Sequence, residues 1–159
     1  MHSHICAIFH IVFATKERTQ LIPEAAQPRL WNYLGGIARD HRIQALAIGG
    51  TANHVHLLLR MPADVKLSDA VRTLKANSSR LMRENSRLFT WQEGYGAFSV
   101  SPQQVGGVKW YIANQAVHHQ RRTFDEEFTA MLQAARLSAA PEGAPDPIVN
   151  PVPSAAALG

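Results

Sequence analysis

The sequence predicts an α+β fold, because strand-like and helix-like apolar patterns alternate along the chain. Residues 5–13 form an apolar, partly β-branched run that is typical of a buried strand. Residues 23–40 place apolar side chains at helical spacing, behind a proline that suits the start of a helix. Up to residue 99 the predicted order is strand, helix, strand, strand, helix, strand. This is the order of the ferredoxin-like, or RRM-like, antiparallel sheet with helices on one face.

The middle of the chain supplies a hairpin and the second helix of this fold. Residues 42–48 and 53–61 are strand-like, and Gly49-Gly50 between them is short enough to predict an antiparallel hairpin. Ser68 is predicted to cap the second helix. A loop and a fourth strand are predicted for residues 91–99. The buried face of the second helix is expected to comprise Val71, Leu74, Ser78, Leu81 and Met82.

Two further helical segments are predicted after the sheet. Ser101-Pro102 is an N-cap followed by proline at the first helical position. Gly106-Gly107 then predicts a break or hinge before a tyrosine-bearing segment over 108–120, because each glycine costs roughly 1 kcal/mol relative to alanine inside a helix. Thr123 and Glu126 match a capping box that starts a last helix over 124–137. Residues 138–159 are rich in Ala and Pro and are predicted to be a disordered tail, which leaves 1–137 as the folded domain.

Composition sets broad limits on function. The chain has 159 residues and a net charge of +4, a basic balance that permits a nucleic-acid partner without requiring one. Cys6 is the only cysteine, so no internal disulfide can form, and this suits a reducing compartment. There is no run of eighteen apolar residues and no secretory start, so we expect no membrane span and a cytoplasmic location.

Two histidines stand on the third predicted strand. Successive side chains of a strand point to opposite faces, so His54 and His56 point the same way. Ordinary buried histidines are one interpretation, since a lone His-x-His is common. The apolar run 57–59 indicates a central strand whose polar residues gather at one end, where two imidazoles are able to bind a divalent ion and leave coordination sites open.

Tyr111 and Gln115 lie four residues apart and therefore share one face of the predicted helix. On composition alone, a place in the core is the better explanation of Tyr111. As a nucleophile it would need help, because the reference pKa of tyrosine is near 10. A metal on a scissile phosphate would provide that help. Gln115 would add an oxygen ligand to the two imidazoles, a set that suits Mg²⁺ or Mn²⁺, so the combination predicts cleavage and rejoining of a DNA strand.

Basic residues on two helices are candidate DNA contacts. One group lies along the second helix, and the other follows the tyrosine segment. A solvated charged surface is the alternative explanation for both groups. The candidate DNA-contacting residues are Lys16, Arg72, Lys75, Arg80, Arg83, Arg87, His118, His119, Arg121 and Arg122.

Four segments carry a family resemblance. Residues 9–16, 53–58, 91–101 and 111–119 read FHIVFATK, NHVHLL, WQEGYGAFSVS and YIANQAVHH. In this order and at these distances they resemble the HUH single-tyrosine transposases of small bacterial insertion sequences, which include the REP-associated tyrosine transposases. The resemblance extends from about residue 10 to residue 128.

The resemblance implies a complete reaction. Such enzymes cleave single-stranded DNA at hairpin-marked element ends, form a 5′-phosphotyrosine link and leave a free 3′-OH. Tyr111 corresponds to the nucleophile, and His54, His56 and Gln115 correspond to the ligands of Mg²⁺ or Mn²⁺. The resemblance also implies a homodimer, in which the tyrosine helix is able to complete the partner's site by swinging near Gly106-Gly107.

Two other functions remain open from the residues. A non-catalytic module of ferredoxin-like fold is able to bind hairpins or single strands by stacking bases on its sheet. That alternative leaves the four candidate site residues unexplained as a set. A replication or relaxase nickase shares the same kind of site, but the small size of the chain argues against it.

Overall fold

The computed structural model describes residues 2–135, and within them four strands form one antiparallel sheet. The strands are β1 (Ile8–Ala14), β2 (Gln44–Gly50), β3 (His54–Arg60) and β4 (Gly96–Ser99). Their order is β2-β3-β1-β4, with β1 and β3 in the centre. This arrangement confirms the predicted ferredoxin-like sheet and the predicted hairpin. The predicted tail, residues 138–159, lies outside the described part of the chain.

Two helices cover one face of the sheet, as predicted. These are α1 (Gln27–Asp40), which follows a 3₁₀ turn at Glu24–Ala26, and α2 (Leu67–Arg83). The predicted cap at Ser68 is wrong, because Lys66 is the N-cap residue and Ser68 lies inside the first turn. The predicted apolar face of α2 is buried in full. The core between these helices and the sheet includes Ile11, Phe13, Leu30, Leu34, Val55, Leu57, Leu59, Val71 and Leu74.

The C-terminal helices cover the other face of the sheet. They are α3 (Val105–Ala113), α4 (Gln115–His118) and α5 (Phe124–Ala134). The first of them packs on the sheet through Tyr111 and Ile112, which lie in one cluster with Ile8 and Leu58. Helix α5 packs its apolar side chains against the C-terminal end of β1. Within residues 2–135 no helix combines the length and apolar character needed to cross a bilayer.

The predicted break at Gly106-Gly107 is wrong. Both glycines lie in the exposed first turn of α3, which runs through them without interruption. The apolar contacts of Val108 and Ile112 hold this helix on the sheet, and they outweigh the low helix propensity of two exposed glycines. The helical path is interrupted instead at Asn114, whose φ of −105° and ψ of 20° separate α3 from α4.

Gly49 allows α3 to lie close against β2. A Cβ at this position would lie 2.7 Å from the Ile112 carbonyl oxygen and 3.0 Å from Ile112 Cγ2. Gly49→Ala is therefore expected to lower the free energy of unfolding by roughly 1–3 kcal/mol, the usual cost of overpacking. Urea denaturation measures the change. Gly106→Ala is the matched control, because its Cβ would meet no atom within 4 Å. Equal stability of the two variants would contradict this account.

Candidate functional site

Strand β3 presents two buried imidazoles to the layer of C-terminal helices. His54 pairs with Ala14 of β1 and His56 with Val12, so both histidines begin the central strand on one face. Both side chains are fully buried. The sequence-based prediction that they share a face and lie at one end of a central strand is confirmed.

Gln115 and Glu127 meet this histidine pair from the helices. Gln115 Oε1 lies 3.1 Å from His54 Nε2. The Glu127 carboxylate lies 3.6 Å from His54 Nε2 and 3.3 Å from His56 Nε2. His54, His56 and Glu127 each place one potential ligand atom in the cluster, and these three atoms lie within 4.8 Å of one another. The cluster thus contains the three ligands predicted from the sequence and one carboxylate that was not predicted.

Glu127 was not predicted as a ligand, because the helix N-terminus already accounts for acidic residues at this position. It stands in an acidic first turn with Asp125 and Glu126, where negative charge favours the helix N-terminus. The structure shows that Thr123 and Glu126 form the predicted capping box, whereas Glu127 is buried with Phe124. The signal was available in the helical period, since a carboxylate three residues after Phe124 lies on the apolar stripe of α5.

His54 contacts two polar side chains through Nδ1. This nitrogen lies 2.8 Å from Asn53 Oδ1 and 3.0 Å from Thr51 Oγ1. When Nδ1 carries the proton and donates it to Asn53 Oδ1, the lone pair of Nε2 is left in the cluster. The Gln115 amide nitrogen donates to Glu127 Oε1 at 3.2 Å, which leaves Gln115 Oε1 facing His54 Nε2. In this tautomer two acceptors face each other at 3.1 Å, whereas a proton on Nε2 would be donated to Gln115 Oε1. His56 Nε2 is buried without a hydrogen-bond partner among the described residues. Converging acceptors of this kind fit a bound cation.

Burial controls the charge of the cluster. It lowers the pKa of His54 to about 3, with a further decrease from neighbouring His56, and it lowers the pKa of His56 to about 3. Burial also raises the pKa of Glu127 to about 7. Both imidazoles are consequently neutral near pH 7, the form in which a histidine ligates a metal.

Tyr111 lies beside the cluster on α3. Its ring meets the ring of His56 edge-on, with 5.6 Å between centroids. The side chain is 5% exposed, and its hydroxyl has no hydrogen-bond partner among the described residues. Buried tyrosine hydroxyls are normally hydrogen-bonded, so this hydroxyl is an exception among the described residues.

His118 and His119 turn towards the cluster in different ways. His119 Nε2 lies 2.6 Å from Glu127 Oε2. The ring of His118 packs edge-on against Tyr111 at 5.2 Å. The two adjacent histidines therefore make different contacts, one with Glu127 and the other with Tyr111. Arg121 is exposed and Arg122 half-buried close to them.

The candidate DNA contacts on α2 lie across the sheet from Tyr111. Arg72 and Arg80 are exposed, as are Arg87 and Lys16 elsewhere. Lys75 is engaged within the fold, because its ammonium donates to the carbonyls of Gln92 and Gly94 at 2.6 and 2.9 Å. Arg83 similarly donates to the Phe89 carbonyl at 2.9 Å. The structure therefore does not bring the basic residues of α2 and the histidine cluster together.

A ferredoxin-like sheet with paired histidines on a central strand and a tyrosine on the adjoining helix defines the HUH single-tyrosine class of transposases. The chain matches the family described as Transposase IS200 like over residues 4–115, and it belongs to that family. Its function is accordingly that of an IS200-like transposase. The matched residues include His54, His56, Tyr111 and Gln115, and they end before Glu127.

Individual relatives agree with this assignment. The chain is 25% identical over 115 residues to the ISDra2 transposase TnpA of Deinococcus radiodurans, a match that covers 67% of this chain and 82% of that protein. A crystal structure of a transposase from Deinococcus radiodurans R1 gives a TM-score of 0.60 at 25% identity, over 72% of this chain and 95% of that one. A REP-associated tyrosine transposase bound to a REP hairpin shares the fold, with a TM-score of 0.57 at 18% identity over 75% and 72% of the two chains.

Proposed function

We propose that this chain cleaves and rejoins single-stranded DNA at hairpin-marked ends through a metal-dependent 5′-phosphotyrosine intermediate. The observation that carries the proposal is the buried His54, His56, Gln115 and Glu127 cluster with Tyr111 packed against it. The hairpin in the structure of the REP-associated relative supports a hairpin ligand of the same kind.

The donor set fits a divalent cation, because it offers two imidazole nitrogens and two side-chain oxygens. His54 and His56 would each contribute Nε2, and Gln115 and Glu127 would contribute oxygen. Neutral imidazoles with amide and carboxylate oxygens suit Mg²⁺ or Mn²⁺, whereas a closed structural zinc site would favour thiolates. When bound, the ion would polarise the scissile phosphate and favour the phenolate form of a nearby tyrosine.

Tyr111 provides the nucleophile in this proposal. Its phenolic oxygen attacks phosphorus, the new oxygen–phosphorus bond forms, and the bond to the 3′ oxygen breaks. The phenolic proton is lost to solvent, and the departing 3′ oxygen takes up a proton to give a free 3′-OH. Rejoining runs the same exchange with another 3′-OH, so the phosphotyrosine bond conserves the energy of the cleaved one. Because Tyr111 is 5% exposed, the C-terminal helix layer has to open before a strand reaches it.

The adduct between protein and DNA is the direct test. Single-stranded DNA that carries the flanking ends of the chain's own gene is incubated with the protein and Mn²⁺, or with EDTA. We expect a denaturant-resistant adduct with Mn²⁺ that maps to Tyr111, and none with EDTA. Tight hairpin binding that never leads to an adduct would support the non-catalytic binding module instead.

The exposed arginines of α2 and the nearby Arg87 are proposed to hold the DNA backbone. Replacing Arg72, Arg80 and Arg87 together by Gln is expected to reduce the salt dependence of hairpin binding. The log–log slope should fall by about 0.9 for each phosphate of the duplex stem, or about 0.7 for each phosphate of a single strand, that the variant no longer neutralises. Fluorescence anisotropy over a salt series measures the slope. Because α2 lies across the sheet from Tyr111, the adduct rate at saturating DNA is expected to remain unchanged.

A second triple variant controls for net charge. Replacing the exposed Arg29, Arg39 and Arg60 by Gln removes the same charge from other parts of the surface. An equal decrease of the slope in both triple variants would show that binding depends on total charge, and would remove α2 from the DNA-binding surface.

The homodimer also belongs to the proposal. Tyr111 lies beside His56 of its own chain, so we propose that each subunit carries a complete site and that the nucleophile acts within its own chain. Light scattering is expected to give twice the 17.5 kDa chain mass. A monomer that forms adducts at the full rate would contradict the dimer.

A further inference from the structure

His10 is a buried histidine that the proposed reaction does not use. It lies on β1 within the FHIVFATK segment and is 2% exposed. Its Nε2 is 2.8 Å from Nδ1 of His56. The two rings lie 5.0 Å apart between centroids. His10 thus contacts the side of His56 that faces away from Glu127 and the ligand cluster.

The hydrogen bond between the two imidazoles has two possible directions. A neutral imidazole carries one proton, so one ring donates and the other accepts. If His10 donates, the proton of His56 is on Nε2 and points at Glu127 Oε1, 3.3 Å away. If His56 donates from Nδ1, its Nε2 carries a lone pair towards the cluster. Only the second arrangement allows His56 to ligate a cation through Nε2.

We propose that His10 is a positioning residue for the metal ligand His56: its Nε2 accepts the Nδ1–H proton of His56 and holds the lone pair of His56 Nε2 in the cluster. The inference rests on the proposed metal-dependent function. A ligating histidine commonly donates its second ring N–H to an acceptor that sets the tautomer and the ring orientation. Here a neutral imidazole from the neighbouring strand is that acceptor.

His10 also contacts the proposed nucleophile, Tyr111. Its ring also meets Tyr111 edge-on, with 6.0 Å between centroids. One side chain on β1 therefore contacts both His56 and Tyr111, which come from β3 and α3. A change at His10 is expected to affect metal affinity first, because the hydrogen bond is made to His56 and the contact with Tyr111 is only packing.

Variants of His10 test the hydrogen bond through metal affinity. His10→Phe keeps a buried ring and removes the acceptor, whereas His10→Gln keeps an acceptor oxygen. Isothermal titration with Mn²⁺ alone is expected to show about 10–100-fold weaker binding for His10→Phe, with partial recovery in His10→Gln. Val12→Ala on the same face of β1 is the control for reduced packing and is expected to bind Mn²⁺ like the parent chain.

The unaltered chain provides a second readout that does not depend on a variant folding. Nitrogen-15 NMR of the Mg²⁺-loaded protein is expected to show the His56 proton on Nδ1. A proton on Nε2, parent-like Mn²⁺ affinity in His10→Phe, or an equal decrease in Val12→Ala would each overturn the inference. A parent chain that binds no Mn²⁺ overturns this inference together with metal dependence. A parent chain that binds Mn²⁺ but never forms an adduct overturns the proposed function alone.

Discussion

Replacing Tyr111 with Phe is expected to abolish the Mn²⁺-dependent adduct while leaving hairpin binding intact. The substitution removes only the hydroxyl oxygen, which is the proposed nucleophile, and phenylalanine offers no alternative. Gel analysis under denaturing conditions measures the adduct, and anisotropy measures the binding. An adduct that persists in Tyr111→Phe would show that another residue attacks the phosphate.

The same variant makes an independent prediction about stability. The Tyr111 hydroxyl is buried and has no hydrogen-bond partner among the described residues, so its desolvation is uncompensated. Removing such a group recovers a cost of about 1–3 kcal/mol, less the small decrease in packing. Tyr111→Phe should therefore unfold at the same or a higher urea concentration than the parent chain. A large destabilisation would mean that the hydroxyl is satisfied in solution.

The sheet was predictable because its signals are local. The β-branched run of β1 and the apolar face of α2 each follow from short-range periodicity, and each is found in the structure. The predicted hairpin is found as well, but its connection is 51–53, because Gly49 and Gly50 pair with His56 and Val55 inside β2. The relation between His54 and His56 is equally local, since side-chain direction in a strand repeats every two residues. The sequence could therefore predict the central part of the site as well as the strand that carries it.

The parts that could not be predicted depend on tertiary packing. The Gly106-Gly107 pair has low helix propensity, but packing of Val108 and Ile112 on the sheet decides the local structure. The approach of Glu127 to β3 joins residues far apart in the chain, a separation over which no periodicity operates. The hydrogen bond between His10 and His56 joins two strands and depends on their register.

The Mn²⁺ affinities of three variants are expected to show whether Glu127 ligates the cation together with the three ligands predicted from the sequence. His54→Ala removes a central imidazole and should weaken binding by more than roughly 100-fold, because removal of a mere outer-shell partner already costs about 10–100-fold. Gln115→Leu removes a neutral oxygen and keeps a side chain of similar size. Glu127→Gln keeps the shape of the side chain and removes its charge. We expect Glu127→Gln to weaken Mn²⁺ binding more than Gln115→Leu, since a carboxylate attracts a divalent cation more strongly than an amide does.

Glu127→Gln should also change stability in the direction opposite to metal affinity. Burial raises the pKa of Glu127 from an unfolded value near 4.5 to about 7, so the folded state binds the extra proton between these values. The contribution of Glu127 to stability is present below pH 4.5 and is lost as the pH rises through 7. Above pH 7 the metal-free parent chain holds an ionised, buried carboxylate, which a neutral amide avoids. In EDTA at about pH 8, the free energy of unfolding of Glu127→Gln is therefore expected to be higher than that of the parent chain. Added Mn²⁺ is expected to raise it by less than it raises that of the parent chain.

These opposed effects distinguish a ligand from a structural carboxylate. If Glu127 served only to hold Gln115 and His119 in place, its replacement would disturb both hydrogen bonds and lower stability with and without Mn²⁺. If it ligates the cation, the metal-free protein gains stability and the stabilisation by Mn²⁺ shrinks, because the free energy gained from a ligand depends on its dissociation constant. Parent-like Mn²⁺ affinity in Glu127→Gln would leave His54, His56 and Gln115 as the metal ligands, the set that the sequence alone predicts.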